Sequence, residues 1–502
     1  MIIPSGRRAL PALAAMAAAA VGTLTALHYH RLGLTLSHYD ARGHLVVARR
    51  IFDSITPGWL QIGAVWLPLP HLLNALPVQV DAWYRSGGSA VVISIASFAL
   101  TAAAVCLIVQ MATESKVASV AAVALVILDP NLLYLQSTPM TEPLLLGLMT
   151  LGVAWLFDWT RGSRRSAAPI GLVLALACLT RYEAWTVTAM ALALSTLALW
   201  RQGEPPLSAV TRVSAIACYP FAAIVGFICF SRVVVGEWFV SSGFFVPDNP
   251  AIGHPLTAFS EIVWGVETLG GRLLFFVAIA GLFWALWRAL TIRDRAAEMV
   301  LPALAATAAL PWVAFLEGHP YRIRYMVPLI IAEAVGAGIV IAAVAERRKS
   351  LAAVVASLLV GLVLVQRPPL SGNAAMVLEA QWDRPNMAAR QQVTDYIQSR
   401  YRGDTIMASM GSLGHYMQEM SAAGFDIRDF LHEGNGDIWL RALEGPEPFV
   451  GWILIEEKAE GGDMLSKAAR ENPFFLRGFS RVMESAGLAV YERQNRMLNV
   501  AR

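Results

Sequence analysis

Charged side chains stand beside long apolar stretches at a few places in this sequence. Asp40 follows the first apolar stretch, Glu142 opens a later one, and Arg181, Arg322 and Arg324 lie in short connections. A carboxylate so placed could take a proton from an attacking hydroxyl group. The planar fork of a guanidinium suits a phosphate. These residue types therefore allow group transfer from a phosphate at the rim of a membrane.

Each of these residues also has an ordinary structural explanation. Asp40 could cap the helix that follows it. Glu142 could be favoured at a helix N-terminus by about 0.3–1 kcal/mol. The arginines could pair with Glu183, with Glu317 or with lipid headgroups. Spacing alone leaves both interpretations open.

The composition indicates a polytopic α-helical membrane protein. The chain has 502 residues, of which 56% are hydrophobic and 15% charged, and its mean hydropathy is +0.54. Soluble proteins carry charge at roughly a quarter of positions, so much of this surface must face lipid. The net charge of +3 gives no indication of nucleic-acid binding. The four cysteines all lie in apolar runs, which predicts neither disulfides nor a cysteine metal site.

Hydropathy predicts about eleven membrane-spanning helices. Arg181 and Glu183 interrupt what could be one long apolar run, and we interpret that point as a tight outer turn. The predicted spans are 9–27, 90–111, 117–135, 141–158, 168–180, 184–200, 212–231, 271–290, 299–316, 326–345 and 350–366.

The basic loops predict the orientation. If the spans alternate, the loops rich in arginine and lysine fall on one side, which is then cytoplasmic. All nine histidines, together with Asp40 and Glu142, fall on the other side. The sequence therefore predicts a multi-pass protein of the cytoplasmic (inner) membrane with an extracytoplasmic active site.

Two domains are predicted, a membrane domain over 1–366 and an extracytoplasmic α/β domain over 367–502. The membrane domain includes a first outer loop, 28–88, whose length of about 60 residues is uncommon without a function. Its apolar stripe, 45–52, predicts a juxtamembrane helix in the membrane interface. Within the α/β domain we predict a helix over 387–401, strands over 405–409 and 452–456, and an edge strand over 487–492.

The order of short motifs resembles the GT-C membrane glycosyltransferases. The branch is the family 39-like one, which includes protein O-mannosyltransferases and aminoarabinose transferases. One span is followed by Tyr39-Asp40, a juxtamembrane helix and the segment Trp66-Leu67-Pro68-Leu69-Pro70. The elements Thr141-Glu142-Pro143-Leu144, Thr180-Arg181-Tyr182-Glu183 and Arg322-Ile323-Arg324-Tyr325-Met326-Val327-Pro328 are also similar to family elements. The chain departs from the family at His71, where many members have His-Pro-Pro-Leu.

The resemblance implies inverting transfer of a sugar from a polyprenyl-phosphate donor to a hydroxyl of a glycan, lipid or protein acceptor. Asp40 would be the base and Glu142 a second acidic residue of the site. Arg181, Arg322 and Arg324 would bind the donor phosphate. Substrate contacts are expected from Tyr39, His44, Trp66 and His254, and segment 244–254 is a candidate lid.

A divalent cation, Mg²⁺ or Mn²⁺, is possible in such enzymes. His38, Asp40, His44 and Glu142 do not have a recognised ligand spacing, so no metal ligands are predicted. The remaining expected partner is membrane lipid.

Two other functions remain as alternatives. A transporter or flippase for lipid-linked glycans would show internal repeats and charge at mid-membrane, whereas this sequence has no repeat and few charges within its spans. An O-antigen ligase or polymerase would use diphosphate-linked donors and a large late outer loop. Here the longest embedded outer loop is the first.

Overall fold

The computed structural model describes residues 5–234, 236, 238, 249–458 and 462–494. The chain divides into two compact units. The helical unit comprises Met1–Leu32, Ala64–Leu69 and Val91–Glu379. The sheet unit comprises Gly33–Gly63, Pro70–Ala90 and Ala380–Arg502. Segments of the predicted first outer loop and of the predicted C-terminal domain therefore belong to one compact unit.

Most of the described chain is helical. The α-helices are α1 Ser5–Arg31, α2 Tyr39–Arg49, α3 Leu69–Asn74, α4 Asp81–Ser86, α5 Gly88–Thr113, α6 Lys116–Ile127, α7 Pro130–Leu135, α8 Glu142–Thr160, α9 Ala167–Cys178, α10 Glu183–Arg201, α11 Pro206–Val234, α12 Pro255–Gly270, α13 Arg272–Thr291, α14 Ala309–Leu316, α15 Leu329–Arg347, α16 Lys349–Gln366, α17 Ala375–Glu379, α18 Arg384–Arg400, α19 Met410–Met420, α20 Asp437–Glu444 and α21 Met464–Glu471. A 3-10 segment, Arg293–Ala308, leads directly into α14.

The predicted spans coincide with apolar helices. Within the described residues, 8 helical segments are long and apolar enough to cross a membrane, and 3 shorter apolar helices lie at the remaining predicted positions. The polytopic helical prediction is confirmed, while the number of crossings stays a prediction. Helix α12 was not predicted, because Ser260, Glu261 and Glu267 interrupt its apolar residues.

Close backbone contact joins two helices of the helical unit. A Cβ atom on Gly281 of α13 would overlap the carbonyl oxygen of Gly336 in α15. Small residues let helices approach in this way in membranes, where lipid supplies little hydrophobic drive for association. Gly271 has a φ of 89°, a left-handed value suited to glycine, and it separates α12 from α13.

The sheet unit carries five strands: β1 Ile406–Ala408, β2 Phe430–Leu431, β3 Trp452–Glu456, β4 Phe479–Ser485 and β5 Leu488–Arg493. Their order is β2-β1-β3-β5-β4, with β1 parallel to β2 and β3 and with the other pairs antiparallel. The predicted positions of β1, β3 and β5 are confirmed. The prediction of β5 as an edge strand is wrong, because β5 pairs with β3 on one side and with β4 on the other.

The apolar stripe of α2 is buried in the core of the sheet unit. Leu45, Val46 and Ala48 pack in one cluster with Ile406 of β1 and Trp452 of β3. A helix in the membrane interface was predicted here. The helix is present, but its stripe contacts protein, because the amphipathic pattern fits a sheet as well as it fits lipid.

Candidate functional site

The turn between α9 and α10 brings Arg181 to the first residues of two helices. Glu142 is the first residue of α8, and Glu183 is the first residue of α10. The side chain of Thr141, at the N-cap of α8, makes no capping hydrogen bond. The predicted tight turn at Arg181 is present, since only four residues separate α9 from α10. Both carboxylates lie at helix N-termini, where negative charge is favoured.

Arg181 contacts both carboxylates. Its Nη1 lies 3.0 Å from Glu142 Oε1 and donates to Thr141 Oγ1 at 3.1 Å. Its Nη2 and Nε donate to Glu183 Oε1 at 2.6 and 3.1 Å. The side chain of Glu142 is 0% exposed. A buried carboxylate is stabilised by pairing with a cation. Glu142 and Glu183 therefore hold the Arg181 side chain in place, and Arg181 in turn stabilises their negative charges.

A second guanidinium, that of Arg324, acts electrostatically on Arg181. Burial disfavours the charge on Arg181, but Glu142 and Glu183 outweigh burial and raise the pKa of Arg181, while Arg324 opposes them by repulsion. Arg324 is itself only 8% exposed. We call Glu142, Arg181, Glu183 and Arg324 the Arg181 cluster. An anion such as phosphate would offset the repulsion between these two guanidiniums.

Arg322 and Arg324 flank the start of one 3-10 turn, Ile323–Met326. Arg322 is its N-cap residue and is half-buried, whereas Arg324 is buried within the turn. The guanidinium carbon of Arg324 lies 5.6 Å from the ring centroid of Tyr325. Arg324 thus acts on Arg181 by charge repulsion and lies two residues after Arg322 in the chain.

The proline-rich segment is fastened beside the Arg181 turn. The backbone N–H of Leu69 donates to the carbonyl of Leu179 at 3.0 Å, and the Tyr182 hydroxyl donates to the carbonyl of Val65 at 3.3 Å. Trp66 lies between these two attachment points and is half-buried. The predicted contact of Trp66 with substrate stays a prediction.

His254 occupies the N-cap position of α12, and its side chain is exposed and makes no capping bond. The predicted lid, 244–254, lies partly outside the described residues, since residues 244–248 are not among them.

Tyr39, Asp40 and His44 all lie on α2 in the sheet unit. The N-cap is His38, whose Nδ1 accepts a hydrogen bond from the backbone N–H of Asp40 at 3.1 Å. The capping explanation for Asp40 is therefore wrong, and its carboxylate, although buried, does not serve as the cap. His44 Nδ1 lies 3.1 Å from His71 Nε2, so one ring donates and the other accepts.

One group in the sheet unit has the composition of a metal site. Ligand atoms of Asp383, His415 and Glu419 lie within 4.8 Å of one another. Arg390 bonds Asp383 Oδ2 at 2.5 Å and Glu419 Oε1 at 2.6 Å, and Arg42 also pairs with Glu419. We call these five residues the Arg390 network.

The Arg390 network does not fit a divalent cation. Two guanidiniums already neutralise its two carboxylates, and a cation would have to displace them. Burial and the neighbouring Arg390 lower the pKa of His415 to about 4, which leaves this imidazole neutral. Hydrogen bonds from Arg390 outweigh burial and lower the pKa of Asp383. The arrangement is a buried ion-pair network, and dependence on Mg²⁺ or Mn²⁺ stays a prediction.

Sequence reasoning missed part of these arrangements. Thr141 stands beside a predicted residue, and its contact with Arg181 could have been inferred from the shared motif order. The capping role of His38 had a weaker signal, because histidine is an unusual N-cap. The Arg390 network had none, since Arg42 and Glu419 are 377 positions apart.

The fold is similar to that of solved membrane glycosyltransferases. ArnT from Cupriavidus metallidurans in the apo state aligns with a TM-score of 0.57 at 13% identity, over 95% of this chain and 98% of that chain. The same protein bound to undecaprenyl phosphate aligns with a TM-score of 0.55 at 13% identity, over 94% and 97%. The apo oligosaccharyltransferase from Archaeoglobus fulgidus aligns with a TM-score of 0.52 at 12% identity, over 88% and 70%.

No protein-family model matches the sequence, and no curated protein matches it significantly. At such identities the likeness to solved structures concerns the fold. The predicted GT-C architecture is confirmed at that level.

Proposed function

We propose that this chain transfers a sugar from a polyprenyl-phosphate donor to an acceptor hydroxyl, with inversion at the anomeric carbon. The observation that carries the proposal is the Arg181 cluster, in which a guanidinium paired with two buried carboxylates is repelled by a second guanidinium. Its occurrence in a GT-C fold supports a lipid-phosphate ligand, since one neighbour of this fold is solved with undecaprenyl phosphate.

In the proposed reaction, the acceptor oxygen attacks the anomeric carbon as the bond from that carbon to the phosphate oxygen breaks. Negative charge grows on the departing polyprenyl phosphate. Arg324 and Arg181, with Arg322, are the proposed partners of that charge. Fixed cations that meet charge as it develops lower the barrier more than they strengthen ground-state binding.

Asp40 is the proposed base that takes the acceptor proton. Its support is its place in the motif order and the fact that His38, rather than Asp40, caps α2. Glu142 is the proposed second acidic residue, and its contact with Arg181 gives it a positioning role. Substrate contacts by Tyr39, His44, Trp66 and His254 belong to the same proposal.

Substitution of Asp40 tests the base. Asp40→Asn preserves shape and removes the proton acceptor, so transfer should fall about 10²–10⁴-fold. Purified full chain would receive synthetic radiolabelled undecaprenyl-phosphate sugars one at a time, and transferred label would be counted. Asp395→Asn is the matched control, because Asp395 is an exposed carboxylate of the same unit. Full activity of Asp40→Asn would remove Asp40 from the role.

The same preparation separates the alternative functions. Reconstituted in vesicles, a flippase would move carrier across the bilayer without forming a new glycoside. A ligase or polymerase would use only diphosphate-linked oligosaccharides. Transfer from a monophosphate-linked monosaccharide supports the proposal over both.

The proposed orientation has the basic loops in the cytoplasm and Glu142, Arg181 and Arg324 near the extracytoplasmic surface. Single cysteines placed at exposed Arg164 and exposed Gly372 should react with impermeant reagents from opposite sides. Reaction of both from one side would contradict the topology.

A further inference from the structure

Helix α12 and Tyr321, which directly precedes Arg322 in the chain, line a cleft. Ser260, Glu261, Trp264 and Tyr321 surround a volume of about 320 Å³. That is near the lower end of the range for small-molecule sites, about 300–1,000 Å³. All four residues belong to the helical unit.

The helix presents these side chains on one face. Positions 260, 261 and 264 fall within one arc of a helix with 3.6 residues per turn, while Ala258 and Ile262 on the other side are buried. Gly265, at the edge of that arc, leaves room for the Tyr321 side chain. A Cβ atom at this position would lie only 2.7 Å from the Tyr321 hydroxyl. The lining is thus fixed by helix geometry and by one glycine.

Two polar atoms in this cleft are buried without a protein partner among the described residues. They are Glu261 Oε2 and the Tyr321 hydroxyl. Leaving such groups without a hydrogen-bond partner is unfavourable. Burial and the nearby Glu261 and Glu379 raise the pKa of Tyr321, and burial raises that of Glu261. The hydroxyl of Tyr321 therefore keeps its proton and can donate a hydrogen bond, while the carboxyl group of Glu261 can accept one.

An aromatic surface completes the lining. Trp264 is 57% exposed, and its ring centroid lies 5.4 Å from that of Tyr321. An aliphatic chain would cover Trp264 but leave both polar atoms unsatisfied. An anionic group would meet Glu261 with like charge. A sugar ring has hydroxyls for Glu261 and Tyr321 and an apolar C–H face for Trp264.

We propose that this cleft binds a neutral or cationic sugar ring of the donor or of the acceptor glycan. The identification of the ligand as a glycan rests on the proposed function, whereas the chemistry of the lining does not. Anionic sugars are disfavoured by the negative charge of Glu261.

Binding can be measured without turnover. Full chain in lipid nanodiscs would be examined by saturation-transfer NMR with three probes: methyl glucopyranoside, methyl glucosaminide and methyl glucuronide. We expect signals from the first two probes and roughly tenfold weaker binding of the glucuronide. Trp264→Ala should weaken binding of the neutral probe roughly tenfold, and Tyr321→Phe should weaken it with little change in shape.

Glu261→Gln tests the charge preference. It should reduce the discrimination against glucuronide, because the repelling charge is gone. Glu267→Gln is the matched control on the same helix, since the carboxylate of Glu267 already pairs with Arg272 at 3.2 Å. Equal binding of all three probes by wild type, Trp264→Ala and Glu261→Gln would overturn the proposal.

Kinetics then identify the source of the sugar. A raised KM for the lipid-linked donor in Tyr321→Phe assigns the cleft to the donor sugar, and a raised KM for the acceptor assigns it to the acceptor. Glycoside binding that depends on Trp264 in a protein without transferase activity would contradict the proposed function and leave this inference standing. Transferase activity without glycoside binding that depends on Trp264 would support the proposed function and contradict this inference.

Discussion

The two units each bury arginines among carboxylates, but they arrange them differently. In the Arg390 network of the sheet unit, Glu419 contacts both guanidiniums, so the like charges share a counter-ion. In the Arg181 cluster of the helical unit, both carboxylates contact Arg181, and Arg324 acts on Arg181 by repulsion. A network with a shared counter-ion is complete by itself. In the Arg181 cluster an anion would oppose the repulsion between Arg181 and Arg324, and we therefore treat this cluster as the candidate site.

The largest effect is expected at Arg181. Arg181→Ala leaves Glu142 and Glu183 buried without their cation, which costs about 3–5 kcal/mol of unfolding free energy. It should also lower transfer by about 10²–10³-fold. Thermal unfolding and label transfer measure the two losses separately. Arg212→Ala is the control, because its pair with Glu204 is exposed and such pairs contribute about 0–1 kcal/mol. Equal effects of both variants would contradict a special role for Arg181.

Arg390 should matter for stability and much less for transfer. Arg390→Ala removes the cation that contacts both Asp383 and Glu419, at a cost of about 3–5 kcal/mol. Transfer per folded molecule should change far less than in Arg181→Ala. Circular dichroism on heating measures the stability of the variant. Activity normalised to the amount of folded protein measures its rate of transfer. A specific loss of activity without loss of stability would show that the comparison is wrong.

Arg324 should affect donor binding more than folding. Arg324→Gln removes one of two adjacent guanidiniums and therefore weakens the hold on phosphate, with an expected rise in donor KM of roughly tenfold to a hundredfold. Arg324→Lys should recover part of the loss, since charge returns without the planar fork. Titration with undecaprenyl phosphate measures binding directly. An unchanged affinity of Arg324→Gln for undecaprenyl phosphate would show that Arg324 does not bind the phosphate.

The smallest expected effect is on pH dependence, and it belongs to the sheet unit. His415, with a pKa of about 4, and His432, whose pKa burial lowers well below the usual value, are neutral when folded. Unfolded histidine takes up a proton near pH 6.5, so stability falls as pH drops below about 6.5. The midpoint of thermal unfolding should decrease by a few degrees between pH 7.5 and 5. His415→Gln should reduce that decrease; an identical pH profile would exclude His415.

The pattern of hydropathy located the long apolar helices of the helical unit, because burial in lipid demands such helices whatever their neighbours are. Strands β1 and β3 were found in the sheet unit for a similar reason, since both are short apolar runs. Strand β4 was missed because residues 479–485 alternate weakly and carry charge on an exposed face. Helix α12 was missed because its polar residues line a cleft.

The candidate site was predictable where residues are neighbours in sequence. Thr180-Arg181-Tyr182-Glu183 and Thr141-Glu142 could be placed at helix ends by span boundaries alone. The role of His38 in capping α2 could not, because aspartate is the commoner cap and His38 and Asp40 both stood in reach of the position. Contacts such as that between Arg42 and Glu419 depend on tertiary packing, which no local pattern encodes.

The sheet unit is assembled from segments that a ribosome delivers at very different times. Gly33–Gly63 and Pro70–Ala90 emerge before the helical segment Val91–Glu379, whereas Ala380–Arg502 emerges after it. At about 5–20 residues per second, the intervening chain takes on the order of tens of seconds to synthesise. Throughout that interval Leu45, Val46 and Ala48 lack the strands that later cover them. In the nascent protein this stripe therefore has no access to its final partners until Ala380–Arg502 has been synthesised.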